Sequence, residues 1–193
     1  MKICVYGAAS NLIDEKYKEA GKELGRKMVE RGHELVFGGG NNGMMGAVAE
    51  GVYEKSGHIL GVIPEFFKEG GEEVSFKHCS EYIYTDTVRN RKKAMEDNAE
   101  AFIITPGGIG TLDEFFEILT LKQLGRHNKA LVIYNIDGFF DSLDKMMDYA
   151  IKEKFVTDDC KELYEVCNNI QDVLEYIEKY DPKDIDVSKV KIR

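Results

Sequence analysis

Thr105-Pro106-Gly107-Gly108-Ile109-Gly110-Thr111-Leu112-Asp113-Glu114 reads as a strand handing over to a helix through a glycine-rich turn. The apolar run Phe102–Ile104 enters it and a helical pattern over Thr111–Leu124 leaves it. Proline removes one donor and stiffens the strand exit, while the glycines leave the other backbone N–H groups open to a ligand. Amides that open a helix favour an anion, and Thr111 adds a hydroxyl at the helix start. Glu114 follows one turn into the helix, on the side of the loop opening. A plainer reading makes Asp113 and Glu114 acids that complement the helix dipole. That suffices for Asp113. For Glu114 a role in chemistry is the better reading, because a carboxylate beside an anion site is unfavourable unless something uses it.

A second turn of this kind lies upstream, Phe37-Gly38-Gly39-Gly40-Asn41-Asn42-Gly43-Met44-Met45-Gly46. Gly39 and Gly40 are its candidates for phosphate or ribose contacts, set against a purely structural tight turn. Gly38-x-Gly40-x-x-Gly43 also matches the dinucleotide fingerprint, with Glu65 near the expected ribose-binding position. It follows the second apolar run rather than the first, however, and no second domain remains to hold a substrate for oxidation. Between the two turns, Arg89-Asn90-Arg91-Lys92-Lys93 opens a helix over Thr87–Asn98. Such a run is commonly a solvated face. Yet cations are disfavoured in a first helical turn, so a ligand phosphate or carboxylate would supply the missing counter-charge. Arg91 and Lys92 point about 100° apart on that helix. Two glycine turns and a basic run predict a phosphorylated small molecule as ligand.

Short apolar runs alternate with longer amphipathic stretches along the whole chain. The runs are Ile3–Tyr6, Leu35–Phe37, Ile59–Ile63, Tyr82–Tyr84, Phe102–Ile104, Leu131–Tyr134 and Leu163–Val166. Helical patterns occupy Tyr17–Arg31, Met44–Lys55, Thr87–Asn98, Thr111–Leu124, Asp141–Lys152 and Ile170–Tyr180. Continuous rather than alternating apolar runs mean strands covered on both faces. The prediction is an α/β fold, a Rossmann-like doubly wound parallel sheet of about seven strands with helices on both faces. Residues 1–180 form one nucleotide-binding domain and 181–193 a polar tail. Pro64–Ser80 is the one long irregular stretch and the candidate lid.

Composition narrows the partners. With 26 Lys and Arg against 35 Asp and Glu, the formal net charge is −9, which argues against a nucleic-acid face. The four cysteines have no zinc spacing, so no metal is expected, and free thiols fit a reducing cytoplasm. No signal peptide or membrane span is visible. His33, His58, His78 and His127 have no partner at catalytic or metal-ligand spacing. Neither a Walker sequence nor a nucleophile elbow is present.

Together these strings resemble the Lonely Guy (LOG) family, nucleoside 5′-monophosphate phosphoribohydrolases once labelled lysine decarboxylases. The matching signatures are Pro106-Gly107-Gly108-Ile109-Gly110-Thr111-Leu112-Asp113-Glu114 and the upstream pair Arg91-Lys92. Gly43-Met44-Met45-Gly46 and Asn135-Ile136-Asp137-Gly138-Phe139-Phe140 also look like the family's, and the resemblance runs from about Lys2 to Phe155. It implies hydrolysis of the N-glycosidic bond of AMP or a cytokinin riboside 5′-monophosphate, without a cofactor. Position by position, it makes Arg91 and Glu114 the catalytic pair. It also makes Lys92, the stretch Gly108-Ile109-Gly110-Thr111-Leu112-Asp113 and Thr120 nucleotide contacts, with Gly107 completing the phosphate loop. A substrate-binding glutamate after the third strand falls on Glu69, Glu72 or Glu73, with Glu73 preferred. Where many members have Cys-Gly-Ser-Ser this chain has Gly7-Ala8-Ala9-Ser10, so Ser10 keeps the hydroxyl in that turn. The resemblance also implies a homodimer, for which Phe115, Phe116, Leu119 and Leu124 on one helix supply apolar surface. A non-catalytic nucleotide or cofactor carrier of the same fold would keep the glycine loops and would not need Glu114. Decarboxylation would need a lysine able to hold pyridoxal phosphate, and no motif offers one.

Overall fold

The computed structural model describes residues 1–66 and 75–182. The candidate glutamates Glu69, Glu72 and Glu73, and the tail from residue 183 on, lie outside the described residues. Seven strands form one all-parallel sheet: β1 (Lys2–Tyr6), β2 (Glu34–Phe37), β3 (Ile59–Pro64), β4 (Glu81–Thr85), β5 (Ala101–Ile104), β6 (Ala130–Tyr134) and β7 (Glu165–Cys167). Their spatial order is β4-β3-β2-β1-β5-β6-β7. The chain therefore winds outward one way from β1 to β4, then returns to β1's other side and winds the opposite way. The reversal falls between β1 and β5, which pair in the register Cys4↔Phe102 and Tyr6↔Ile104. Open α/β sheets bind ligands outside the carboxyl ends of the strands at such a reversal.

Alternate strand residues feed two cores. Ile3, Val5, Leu35, Phe37, Ile103 and Val132 face one side. There they meet α1 (Glu15–Glu30) through Leu24 and Met28, α2 (Gly43–Glu54) through Val48 and Val52, and α6 (Ile170–Lys179) through Val173 and Ile177. Cys4, Tyr6, Val36, Phe102, Ile104 and Leu131 face the other side. That side carries α3 (Val88–Asn98), α4 (Ile109–Gln123) and α5 (Asp141–Lys152), contributing Met95, Phe115 and Met147. Each fully buried aliphatic or aromatic side chain contributes roughly 1.5–3 kcal/mol. Burial on both faces is the reason the strands read as unbroken apolar runs.

Most predicted elements agree with the structure to within one or two residues. The last strand is displaced, because Leu163 belongs to a 3-10 turn over Asp158–Leu163 and β7 begins at Glu165. Leu163 is nonetheless fully buried, so the apolar run straddled two elements that share one core. Helix α4 starts at Ile109, two residues earlier than predicted, with Gly108 at the N-cap position. Within the predicted lid, Ser75 and Phe76 are fastened to the first glycine turn, while Lys77, His78 and Ser80 are exposed. The Phe76 amide donates to the Gly39 carbonyl at 2.9 Å, Ser75 bridges Gly40, and Phe76 is buried edge-on to Phe37.

Candidate active site

Three strand ends are stitched together at the reversal point. The Thr105 amide and hydroxyl both donate to the Tyr6 carbonyl, at 2.8 and 2.9 Å. The Ala8 amide donates to the Pro106 carbonyl at 3.0 Å, and the Met45 amide to the Ala8 carbonyl at 3.2 Å. The loop after β1 is thus tied to both glycine turns. Thr105 is completely buried, so its hydroxyl secures the strand exit.

At the second turn, Gly108, Ile109 and Gly110 are exposed and no side chain caps α4. The first amide with an acceptor inside the helix is that of Leu112, which donates to the Gly108 carbonyl at 3.1 Å. The amides of Ile109, Gly110 and Thr111 have none by the geometry of a helix end. Thr111 is 3% exposed and its hydroxyl lies against Gly107, so the side chain fastens the turn while its amide remains part of the helix opening.

Arg91, from the first turns of α3, reaches across to this turn. Its Nε donates to the Val62 carbonyl at 3.1 Å, and its Nη1 stands 3.8 Å from Glu114 Oε1 on α4. Both side chains are nearly buried, at 13% and 12% exposure. At 3.8 Å the pair attracts through space without a hydrogen bond. Burial pushes the Glu114 carboxyl up to about 7; Arg91 pulls it back down without overcoming the loss of water, and Asp113 adds to the rise. Near neutral pH this group is therefore present in both protonation states.

The guanidinium owes its place to a glycine. A Cβ at Gly38 would lie 1.6 Å from Arg91 Nη2. Gly38 is thus the floor on which Arg91 rests, a role that its membership of a glycine motif did not reveal. Beside it lies a pocket of about 250 Å³ lined by Gly38, Gly39, Gly40, Ala9, Met45 and Arg91, among others. Gly39 and Gly40 therefore sit with Arg91. Ser10 is exposed, and its hydroxyl accepts locally from the Leu12 amide at 3.2 Å.

The remaining predicted contacts stand elsewhere. Lys92 turns away from Arg91, as their angular separation requires, and pairs with Asp113 at 3.0 Å and with Glu117. The counter-charge expected from a ligand is here supplied by carboxylates of α4. Lys92, Asp113 and Thr120 line an outer groove between α3 and α4 together with Val88 and Phe116. Leu112 is half-buried behind the second turn and packs against the α3–α5 core. Of the four residues expected to offer apolar surface, Phe115 and Leu119 are buried in the chain's own core and Phe116 partly so, leaving Leu124 exposed.

Comparison with known proteins gives the chain a family. A family model described as "Possible lysine decarboxylase" matches residues 45–177. The cytokinin riboside 5′-monophosphate phosphoribohydrolase LOG2 of Arabidopsis thaliana is 37% identical over 190 residues, covering 98% of this chain and 88% of that protein. Its counterpart LOG from Oryza sativa subsp. japonica is 36% identical over 182 residues, covering 94% and 74%. In fold, the chain is similar to the molybdenum cofactor carrier protein of Chlamydomonas reinhardtii, with a TM-score of 0.68 at 20% identity, covering 92% of this chain and 96% of that one. It is similar also to the molybdenum cofactor binding protein of Rippkaea orientalis, with a TM-score of 0.66 at 17% identity, covering 92% and 93%. With a paired Arg91 and Glu114 beside an uncapped helix, and relatives above 30% identity along nearly its whole length, the chain belongs to the LOG family of phosphoribohydrolases.

Proposed function

We propose that this chain hydrolyses the N-glycosidic bond of a purine nucleoside 5′-monophosphate, AMP or a cytokinin riboside monophosphate, releasing free base and ribose 5-phosphate. The observation that carries the reading is the Arg91–Glu114 pair, buried beside an open helix end, with the Glu114 carboxyl raised to about 7. The names of the relatives point the same way. In the reaction the bond from C1′ to the base nitrogen breaks and its electron pair leaves with the base. A water oxygen bonds to C1′, which passes through an electron-poor, oxocarbenium-like state. Glu114 as carboxylate stabilises that charge or takes the water's proton; as carboxylic acid it has a proton to give the departing base. Arg91 acts by orienting Glu114 and the substrate through its planar guanidinium. The amides of Gly108, Ile109, Gly110 and Thr111 hold the 5′-phosphate, with Gly107 shaping the turn. Glu73 keeps its role as substrate contact from the family resemblance alone. A carrier of the same fold would have no use for an acid with so raised a proton affinity.

The direct test compares AMP with adenosine under identical conditions, following adenine release. Losing two or three charge-assisted hydrogen bonds at about 1.5–3 kcal/mol each should lower kcat/KM for adenosine by roughly 10³-fold. The loss should fall on kcat as well as KM, because phosphate binding positions the ribose. Equal rates would replace this reading with that of a plain nucleosidase.

The same proposal includes a homodimer, with the groove between α3 and α4 as its contact. Support comes from its half-exposed apolar residues, with Val88 47% and nearby Leu124 52% exposed. Cyclic pairs are the commonest soluble oligomers. No helix among the described residues is long and apolar enough to cross a membrane, and the free thiols of Cys4, Cys79, Cys160 and Cys167 favour a reducing compartment such as the cytoplasm.

A further inference from the structure

We propose that Asn11 is a positioning residue that closes the first glycine turn to anions and so gives the phosphorylated substrate a single seat; this rests on the phosphoribohydrolase reading. The Asn11 carboxamide oxygen accepts from the Gly43 amide at 3.0 Å, and its NH2 group donates to Asn42 Oδ1 at 2.8 Å. The Gly43 amide is the one that opens α2, so the donor an incoming phosphate needs is already engaged. The Met45 amide is engaged too, with the Ala8 carbonyl at 3.2 Å, so two of the three amides that open α2 are already taken. Asn42 holds the N-cap position of α2 without capping it, and Asn11 supplies the missing cap from another loop.

The latch also fixes the loop it comes from. Gly43 has φ +61, and a Cβ on it would lie 2.4 Å from the Ala8 carbonyl oxygen and 2.7 Å from that of Ser10. Loop and turn are therefore in backbone contact, with Asn11 as the side-chain tie. Ala9 on that loop lines the same pocket as Arg91. Release of the tie would uncover a second helix end beside the first and let one wall of the pocket drift. A shift of about 1 Å at a reacting centre can cost on the order of 100-fold in rate.

The test sets Asn11→Ala against Asn11→Asp, with AMP hydrolysis and calorimetric titration of inorganic phosphate as readouts. In Asn11→Asp the carboxylate still accepts from the Gly43 amide, and Asn42 can turn its own NH2 toward it. Asn11→Ala should lower kcat/KM for AMP roughly 10- to 100-fold and raise the phosphate stoichiometry by one. Asn11→Asp should restore the wild-type stoichiometry and most of the rate. A merely structural residue would change the melting temperature and leave the phosphate count alone. If Asn11→Ala does not fold, Asn11→Ser, whose shorter side chain cannot make both bonds, carries the same count. A stoichiometry that fails to rise, whatever the wild-type value, overturns the proposal. Because phosphate counting does not depend on AMP being the substrate, failure of the latch and failure of the functional reading are separable.

Discussion

The two glycine turns look alike in sequence and differ in what surrounds them. Each follows a buried strand and opens a helix, and each is uncapped by its own N-cap residue. At the first, neighbours take up backbone groups, since Asn11 takes the Gly43 amide and the Gly39 carbonyl receives Phe76, while Arg91 lies over Gly38 beside the pocket that Gly38, Gly39 and Gly40 line. The second has solvent at the corresponding place, with Gly108 and Gly110 having nothing within 4 Å of where a Cβ would stand. A glycine-rich strand–helix turn is thus a capacity for binding anions, and the tertiary contacts around it decide whether that capacity is kept or spent. In the proposed reading the first turn is scaffold for Arg91, and the second is the phosphate seat beside Glu114.

The largest effect expected from this division is at Glu114. Glu114→Gln keeps the shape and the open amides, so AMP binding should survive while turnover falls by about 10³-fold. Retention of wild-type kcat would remove Glu114 from the chemistry. The same variant should be more stable than the wild type at pH 8. Because the folded carboxyl holds its proton up to about pH 7 while an unfolded one releases it near 4.3, wild-type stability falls as pH rises through that interval. The glutamine variant lacks this slope, and thermal melts at pH 5 and pH 8 would show whether it does.

Next in size is Gly38→Ala. The added methyl takes the space of Arg91 Nη2 at 1.6 Å, and the guanidinium, being the end of a flexible side chain, can move aside. Folding should survive with little change in melting temperature, while kcat/KM drops roughly 100-fold as the charge facing Glu114 is displaced. A fully active Gly38→Ala would mean that the first turn does not serve as the floor for Arg91.

The smallest effect belongs to the open turn. At Gly110, in the first turn of α4, alanine meets nothing and is the better helix former by up to about 1 kcal/mol. Gly110→Ala should therefore leave stability equal or slightly raised, yet lift KM for AMP several-fold because a methyl group now shades the amides. If KM is unchanged, the phosphate does not sit over that part of the helix end.

The alternation of apolar and amphipathic segments was legible along the whole chain, because a strand buried on both faces must be apolar throughout. One boundary misled. Leu163 and Val166 share a core but not an element, and burial leaves the same mark on a 3-10 turn as on a strand. At the site, residue types and spacing singled out both turns and Glu114, and the family resemblance named Arg91 as its partner. Lys92 reads the same as Arg91 in sequence, yet its partners are Asp113 and Glu117. Gly38 is one of three consecutive glycines, and nothing local marks it as the one beneath a guanidinium. Asn11 gave no signal, since its partners lie more than 30 residues away and asparagine is ordinary in any loop.

The sequence by itself determined the layer order, the two anion-competent turns and the presence of an acid one turn into the second helix. Each of these rests on short-range physics: periodicity of burial, glycine's freedom, and the unpaired amides that every helix end carries. Only the tertiary structure decided which turn has its first helical amide taken by a side chain, how close Arg91 stands to Glu114, and how far the carboxyl's proton affinity rises. Those are settled by what packs against what across the sheet's reversal point. Desolvation and charge pairing depend on distances between residues remote in the chain, which no local pattern encodes.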